Sequence, residues 1–143
     1  MTGEASPHRI VTAPGLAEPR GYAHAVIPSQ GTLVFLGGQT AQGRDGAIRG
    51  ATLVEQFDKA AGNVVAALAA AGGRPKHLVS LTIYVTDVAE YRASLDELGT
   101  VYRRHFGRHY PAMALLGVSA LFDSAAKLEL VGVAALPDAA PAE

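Results

Sequence analysis

The sequence contains no cysteine, which excludes disulfides, thiolate nucleophiles and sulfur-ligated metal centres and is compatible with a reducing cytoplasm. It has no excess of charge of either sign. Twelve Lys and Arg stand against thirteen Asp and Glu, a net charge of -1, so the chain as a whole exerts no pull on phosphate backbones or anionic lipid. No stretch reaches the ~18 uninterrupted apolar residues of a membrane span, and residues 1–6, with Glu4, show no basic start ahead of an apolar run. These absences lead us to expect a soluble cytoplasmic protein with no membrane association. Core material, by contrast, is ample. Of the 143 residues 49% are hydrophobic, which suits one domain of ordinary size and makes a second full domain unlikely on size alone.

Up to Arg20 the chain carries Pro7, Pro14 and Pro19 and no sustained period, which predicts an extended arm over residues 1–20. Strand-like runs follow at Tyr22–Ile27 and Thr32–Leu36, and Pro28-Ser29-Gln30-Gly31 between them predicts a hairpin. Gly37-Gly38-Gln39 closes that unit, and Gly43 to Gly50 reads as a polar loop or a short edge hairpin. Between Ala51 and Gly73 the residues Leu53, Val54, Phe57, Ala61, Val64, Val65 and Leu68 recur at helical spacing. Thr52 and Glu55 supply a capping box at the start, and Gly72-Gly73 stop the helix. From Leu78 to Thr86 apolar and polar residues alternate, the mark of a half-buried strand. Asp87 then caps a second helix running to Phe106, with Leu95, Leu98, Tyr102 and Phe106 on one stripe and Gly107 at its end. Pro111–Val118 and Lys127–Ala135 are two more apolar strands around a polar turn at Asp123-Ser124, and residues 137–143 are expected to fray.

This order predicts an α+β domain over residues 21–136, an antiparallel sheet covered on one face by two amphipathic helices. Two helices leave the other face bare. The outward parity of the Leu78 strand and the Met113–Leu116 run would then meet water, and self-association is the natural remedy.

Several residues carry a resemblance. Tyr22 ahead of the first strands, Leu36-Gly37-Gly38-Gln39, Gln56 through Asn63, Ala71-Gly72-Gly73, Leu81–Thr86 followed by Asp87, Tyr102–Phe106, Pro111-Ala112 and Lys127-Leu128-Glu129-Leu130 stand in the order of the Rid family. This family of reactive-intermediate deaminases is also called YjgF or L-PSP. The chain resembles it over roughly residues 20–135. The resemblance implies a chorismate-mutase-like mixed sheet with two helices on one face, a homotrimer, and a small-molecule cleft at each subunit interface. It also implies hydrolysis of short enamine and imine acids such as 2-aminoacrylate, with no cofactor and no metal.

On the same basis Glu129 is the residue that positions water or moves a proton, with Tyr22 and Gln39 as its companions. Gly37, Gly38, Met113, Ala114 and Leu115 are the cleft walls. One position departs from the pattern. The family's deaminases carry an arginine directly after the Pro-Ala pair, where a guanidinium can grip the substrate carboxylate with two bonds. Met113 stands there, and a thioether cannot replace charge-assisted hydrogen bonds of ~1.5–3 kcal/mol each. We therefore expect negligible turnover of 2-iminobutyrate or 2-aminoacrylate. Gly37 also replaces the family's serine, and Gly99 falls near its helix asparagine.

Arg103, Arg104 and Arg108 are the nearest cations in sequence; replacement of the missing arginine by one of them stays open as the lesser alternative, and their place at a helix end reads first as solvated surface. The apolar neighbours Leu128, Leu130 and Val131 predict a desolvated setting for Glu129. His105 and His109 have metal-pair spacing, but Gly107 interrupts the helix between them. Two function classes stay open. One is a deaminase-like hydrolase or proton-transfer enzyme acting on a small imine, enamine or related electrophile other than the usual 2-imino acids. The other is a non-catalytic trimer that binds a metabolite or a partner. A ribonuclease is a minor alternative, because the basic run from Arg103 to His109 lacks interleaved aromatics and nucleic acid is an unlikely partner.

Overall fold

In the computed structural model residues 5–138 are described. They form β1 (Arg9–Val11), β2 (Ala25–Ile27), β3 (Gly31–Phe35), α1 (Leu53–Ala70), a turn of 3-10 helix (Pro75–His77) and β4 (Leu78–Val85). Then come α2 (Val88–Ala93), α3 (Leu95–Phe106), β5 (Ala112–Gly117) and β6 (Leu128–Pro137). The expected α+β class is observed, with a mixed four-stranded sheet in the order β3-β6-β4-β5 and a separate β1-β2 ribbon.

The local signals act as read. Thr52 Oγ1 accepts from the Glu55 amide at 3.1 Å while Glu55 Oε1 accepts from the Thr52 amide at 3.2 Å, so both partners of the capping box are engaged. Gly72, at φ +87°, lets the chain leave α1, and the Gly73 amide closes on the Leu68 carbonyl at 2.7 Å. Asp87 Oδ1 accepts from the Glu90 amide at 3.0 Å and starts α2. The Gly43–Gly50 segment takes the hairpin form, with a bridge between Gln42 and Ile48.

Strand partners differ from the expectation in two places. The two runs flanking Pro28 do not form a hairpin: β2 pairs antiparallel with β1, and β3 pairs with β6. His8 draws β1 in, accepting from the Ser29 amide through Nδ1 at 3.1 Å and donating from Nε2 to the His77 carbonyl at 2.8 Å. The proline-rich arm is thus pinned, and residues 9–11 are a strand. The sheet is also not purely antiparallel, because β5 lies parallel to β4. A strand followed by helices and a second strand in the same sheet returns by a crossover, and that makes the two strands parallel. The turn at Asp123 forms, its carboxylate accepting from the Ala125 amide at 2.9 Å, but it carries the chain past the end of β4 without joining neighbours.

The second helix is broken at Ser94 into α2 and α3, which turn different faces inward. Leu98, Val101, Tyr102 and Phe106 reach the core, whereas Leu95, placed on the same stripe from sequence, is 55% exposed. The helices cover one sheet face. Leu53, Phe57, Val64 and Leu68 of α1 and the inward residues of α3 close over Leu81, Ile83, Val85, Leu128 and Leu130. Gln56, only 2% exposed, ties α1 to both flanking loops. Its Nε2 donates to the Gly50 and Ala125 carbonyls at 3.2 and 3.1 Å, and its Oε1 accepts from the Lys127 amide at 2.8 Å. On the opposite sheet face Ser80, Thr82, Tyr84, Glu129, Val131 and Val133 are only half-buried, and Phe35 is 74% exposed. Among the described residues no helix is long and apolar enough to cross a membrane.

Candidate functional site

Glu129 sits in β6 directly opposite Tyr84 of β4. Side chains alternate between the faces of a strand, so Leu128 and Leu130 point into the helix-covered core and Glu129 points to the bare face. Leu128 and Leu130 therefore do not flank its carboxylate on that face. Beside β6 the chain of Gly37, Gly38 and Gln39 is held by a pair of 2.8 Å backbone bonds between Gln39 and Leu130. A Cβ at Gly38 would lie 2.5 Å from Glu129 Oε2 and 2.8 Å from its Cδ, so a side chain there would push the carboxylate aside. The Gln39 side chain donates to the Gly37 carbonyl at 3.2 Å, not to the carboxylate. Among the described residues the Glu129 carboxylate has no hydrogen-bond or ion-pair partner. Gly37, Gly38, Gln39 and Glu129 thus form one cluster.

The remaining expected site residues form another. In the parallel register Met113 pairs with Leu81 and Leu115 with Ile83, so both turn toward the helices, to the face opposite Glu129. They border a cavity of about 530 Å³ that Ala114 and Tyr22 also line. Tyr22 is brought there by its neighbour, because the Ala23 amide donates to the Pro111 carbonyl at 2.9 Å and pins the segment to the start of β5. Tyr91, Tyr102 and Tyr110 complete an aromatic wall, with Tyr102 and Tyr110 stacked at 5.1 Å and 6°. The Tyr102 hydroxyl donates to the His109 carbonyl at 2.7 Å and lies 3.8 Å from Met113 Sδ. Burial pushes the Tyr102 phenol well up, helped by Tyr110 and Tyr91, and burial also raises Tyr91, so neither ionises at neutral pH.

Sequence reasoning missed Arg20; Arg103 is exposed, as its helix-end position suggested, and both border this cavity. The Arg103 guanidinium lies over Gly99, where a Cβ would meet its Nη1 at 3.2 Å. Gly99 and Arg103 are four residues apart on α3, a spacing that puts two residues on one helix face, and the pair was legible as such. Arg104 and Arg108 stay outside the cavity. They border a wider groove of about 1250 Å³ with Arg74, Lys76, His105 and His109. Asp58 accepts there from Arg104 at 3.3 Å and holds His105 at 2.5 Å. His109 Nε2 instead donates to the Leu78 carbonyl at 2.8 Å, so the two histidines do not converge. Among the described residues no group of three or more His, Cys, Asp or Glu could hold a metal ion.

The comparisons with known proteins bear on the family and the fold. The family model described as Endoribonuclease L-PSP matches residues 13–136. Protein DfrA from Myxococcus xanthus is 34% identical over 119 residues, 79% of this chain and 83% of that protein. The crystal structure of the Rid family protein YyfB from Yersinia pestis superposes with a TM-score of 0.80 at 26% identity, covering 90% of this chain and 98% of that one. Rv2704 from Mycobacterium tuberculosis, a member of the YjgF/YER057c/UK114 family, gives a TM-score of 0.62 at 26% identity over 90% and 99% of the two chains. A family model spanning nearly the whole fold, and relatives covered almost end to end, place this chain in the Rid/L-PSP family.

Proposed function

We propose that the chain assembles into a homotrimer whose intersubunit clefts hydrolyse a small imine, enamine or related electrophile. The observation that carries this reading is the division of the site. Glu129, Gly37, Gly38 and Gln39 stand on the bare sheet face, to which Ala114 also turns, while Tyr22, Met113 and Leu115 stand on the helix side. One chain supplies two half-sites, and a neighbouring copy is needed to set one against the other. The bare face, with Phe35 and Leu116 exposed, has the apolar character of a surface that such a neighbour covers.

In the assembled cleft Glu129 takes a proton from water as the oxygen adds to the C=N carbon and returns it to nitrogen. The hydroxyl proton of the resulting carbinolamine then passes by way of the same carboxylate to nitrogen, the C–N bond breaks, and ammonia leaves as the C=O bond forms. Gln39 and Tyr22 orient the substrate. Met113 beside the reacting carbon offers no grip for a carboxylate attached there, which disfavours the short 2-imino acids.

The test has two parts. A panel of imines generated in situ by amine and amino-acid oxidases is screened for ammonia release by wild type, Glu129→Gln and Met113→Arg. We expect turnover of some panel member that Glu129→Gln abolishes, and negligible 2-iminobutyrate turnover by wild type. Second, Glu129→Gln and Tyr22→Ala protomers are unfolded together and reassembled. If each cleft takes one half from each of two chains, roughly a quarter of the clefts in a 1:1 mixture are intact and activity returns. No recovery on mixing would rule out the shared cleft, and Glu129-independent turnover would remove Glu129 from the chemistry. Specific binding with no turnover would favour the non-catalytic trimer. A ribonuclease reading draws on the basic groove beside Arg104 and Arg108. It predicts RNA binding that weakens steeply with salt and is lost in Arg104→Glu.

A further inference from the structure

The cavity behind Met113 combines two features that specify a ligand class. Its walls are apolar and aromatic, and four of the five tyrosines of the sequence, Tyr22, Tyr91, Tyr102 and Tyr110, line it. Among the described residues the charged ones that line it are Arg20 and Arg103, both exposed, with no carboxylate beside them. Neither guanidinium makes a hydrogen bond or ion pair among the described residues. Asp58 of α1 shows the contrast at the next two residues of α3, where it occupies Arg104 and His105 and leaves Arg103 alone. Gly99 explains how Arg103 comes to lie over the cavity. With no side chain at that position the guanidinium settles against the helix backbone, and even a methyl group there would stand 3.2 Å from Nη1.

We infer that this cavity selects an anion carried at the end of an apolar or aromatic body, with Arg103 as the specificity-determining residue and Arg20 as its second cation. The body packs on Met113 and the tyrosine wall, and a carboxylate reaches the guanidinium beyond them. The site has kept a carboxylate grip but moved it away from the reacting carbon. This deepens the proposed reading and rests on it for where the reacting carbon lies; the cavity itself belongs to one chain.

The test is binding of 3-phenylpropionate against its neutral amide, followed by calorimetry or ligand-observed NMR at low salt with the full chain. Wild type is expected to prefer the acid by roughly tenfold or more, consistent with charge-assisted hydrogen bonds to a guanidinium. The preference should shrink at high salt. Arg103→Met should abolish it, Arg103→Lys should restore part of it, and Arg104→Met should leave it intact. Gly99→Ala, which keeps the charge but displaces the guanidinium, should weaken it. Equal affinity for acid and amide in wild type, binding of neither, or an undiminished preference in Arg103→Met would each overturn the inference. Those results leave the Glu129 dependence of turnover untouched. Loss of that dependence with the acid preference intact would sink the catalytic reading alone.

Discussion

Gln56→Leu should destabilise the protein strongly although it replaces a polar side chain in the core by an apolar one of similar size. Gln56 holds three backbone groups that belong to two distant loops, the Gly50 and Ala125 carbonyls and the Lys127 amide. Leucine meets none of them. The Lys127 amide has Gln56 Oε1 as its acceptor at 2.8 Å; leaving such a donor unmade costs about 1–3 kcal/mol. The two carbonyls belong to exposed residues that water can reach, so each loses only the usual net worth of about 0.5–1.5 kcal/mol. The sum is about 2–6 kcal/mol, centred near 4. With a urea slope of roughly 2 kcal/mol/M, the unfolding midpoint should fall by about 1–3 M at fixed protomer concentration. Circular dichroism across a urea series reads this directly. A shift below about 0.3 M would show that solvent or the loops themselves satisfy these groups, and would refute the view that Gln56 anchors the entry to β6 and hence the placement of Glu129.

Other perturbations separate parts of the structure. Burial holds the His109 pKa below its ordinary value of 6.5, so the unfolded chain binds that proton more readily. Its stabilising contribution is complete above pH 6.5 and fades as pH falls through the depressed value. Urea midpoints at pH 7.5 and 5.5 should therefore differ more in wild type than in His109→Asn, and equal differences would contradict this. Gly31→Ala places a Cβ onto the Leu136 backbone carbonyl, whereas Gly37→Ala meets nothing within 4 Å. The first should cost about 2 kcal/mol or more and the second under about 0.5, again by urea titration. Light scattering at micromolar concentration should return a trimer for wild type and a smaller species for Phe35→Asp. A wild-type monomer would undo the shared cleft.

Much of the site was readable as a list of residues and little of it as an arrangement. Glu129 stands between two leucines, and strand parity, a local property, turns its carboxylate to the opposite face, which the apolar setting expected from those neighbours left out of account. Arg103 is exposed, as its place at a helix end suggested, but that reading did not show that it borders a cavity beside Gly99. Arg20 lay in a segment without periodicity, and no local pattern marks a side chain that reaches a cavity built by other elements.

The sequence by itself determined the elements whose causes lie within a few residues. The capped helix from Leu53, its glycine stop, the alternation of Leu78–Val85 and the absence of thiol chemistry all follow from neighbours or composition. Tertiary structure alone decided the strand partners, since β2 finds β1 and β3 finds β6 across the chain. It also decided that Met113 and Glu129 fall on opposite faces of one sheet. The physical reason is that turn residues state only that the chain reverses. What each edge then pairs with is settled by long-range burial and by hydrogen bonds such as those of His8, which join residues 69 apart.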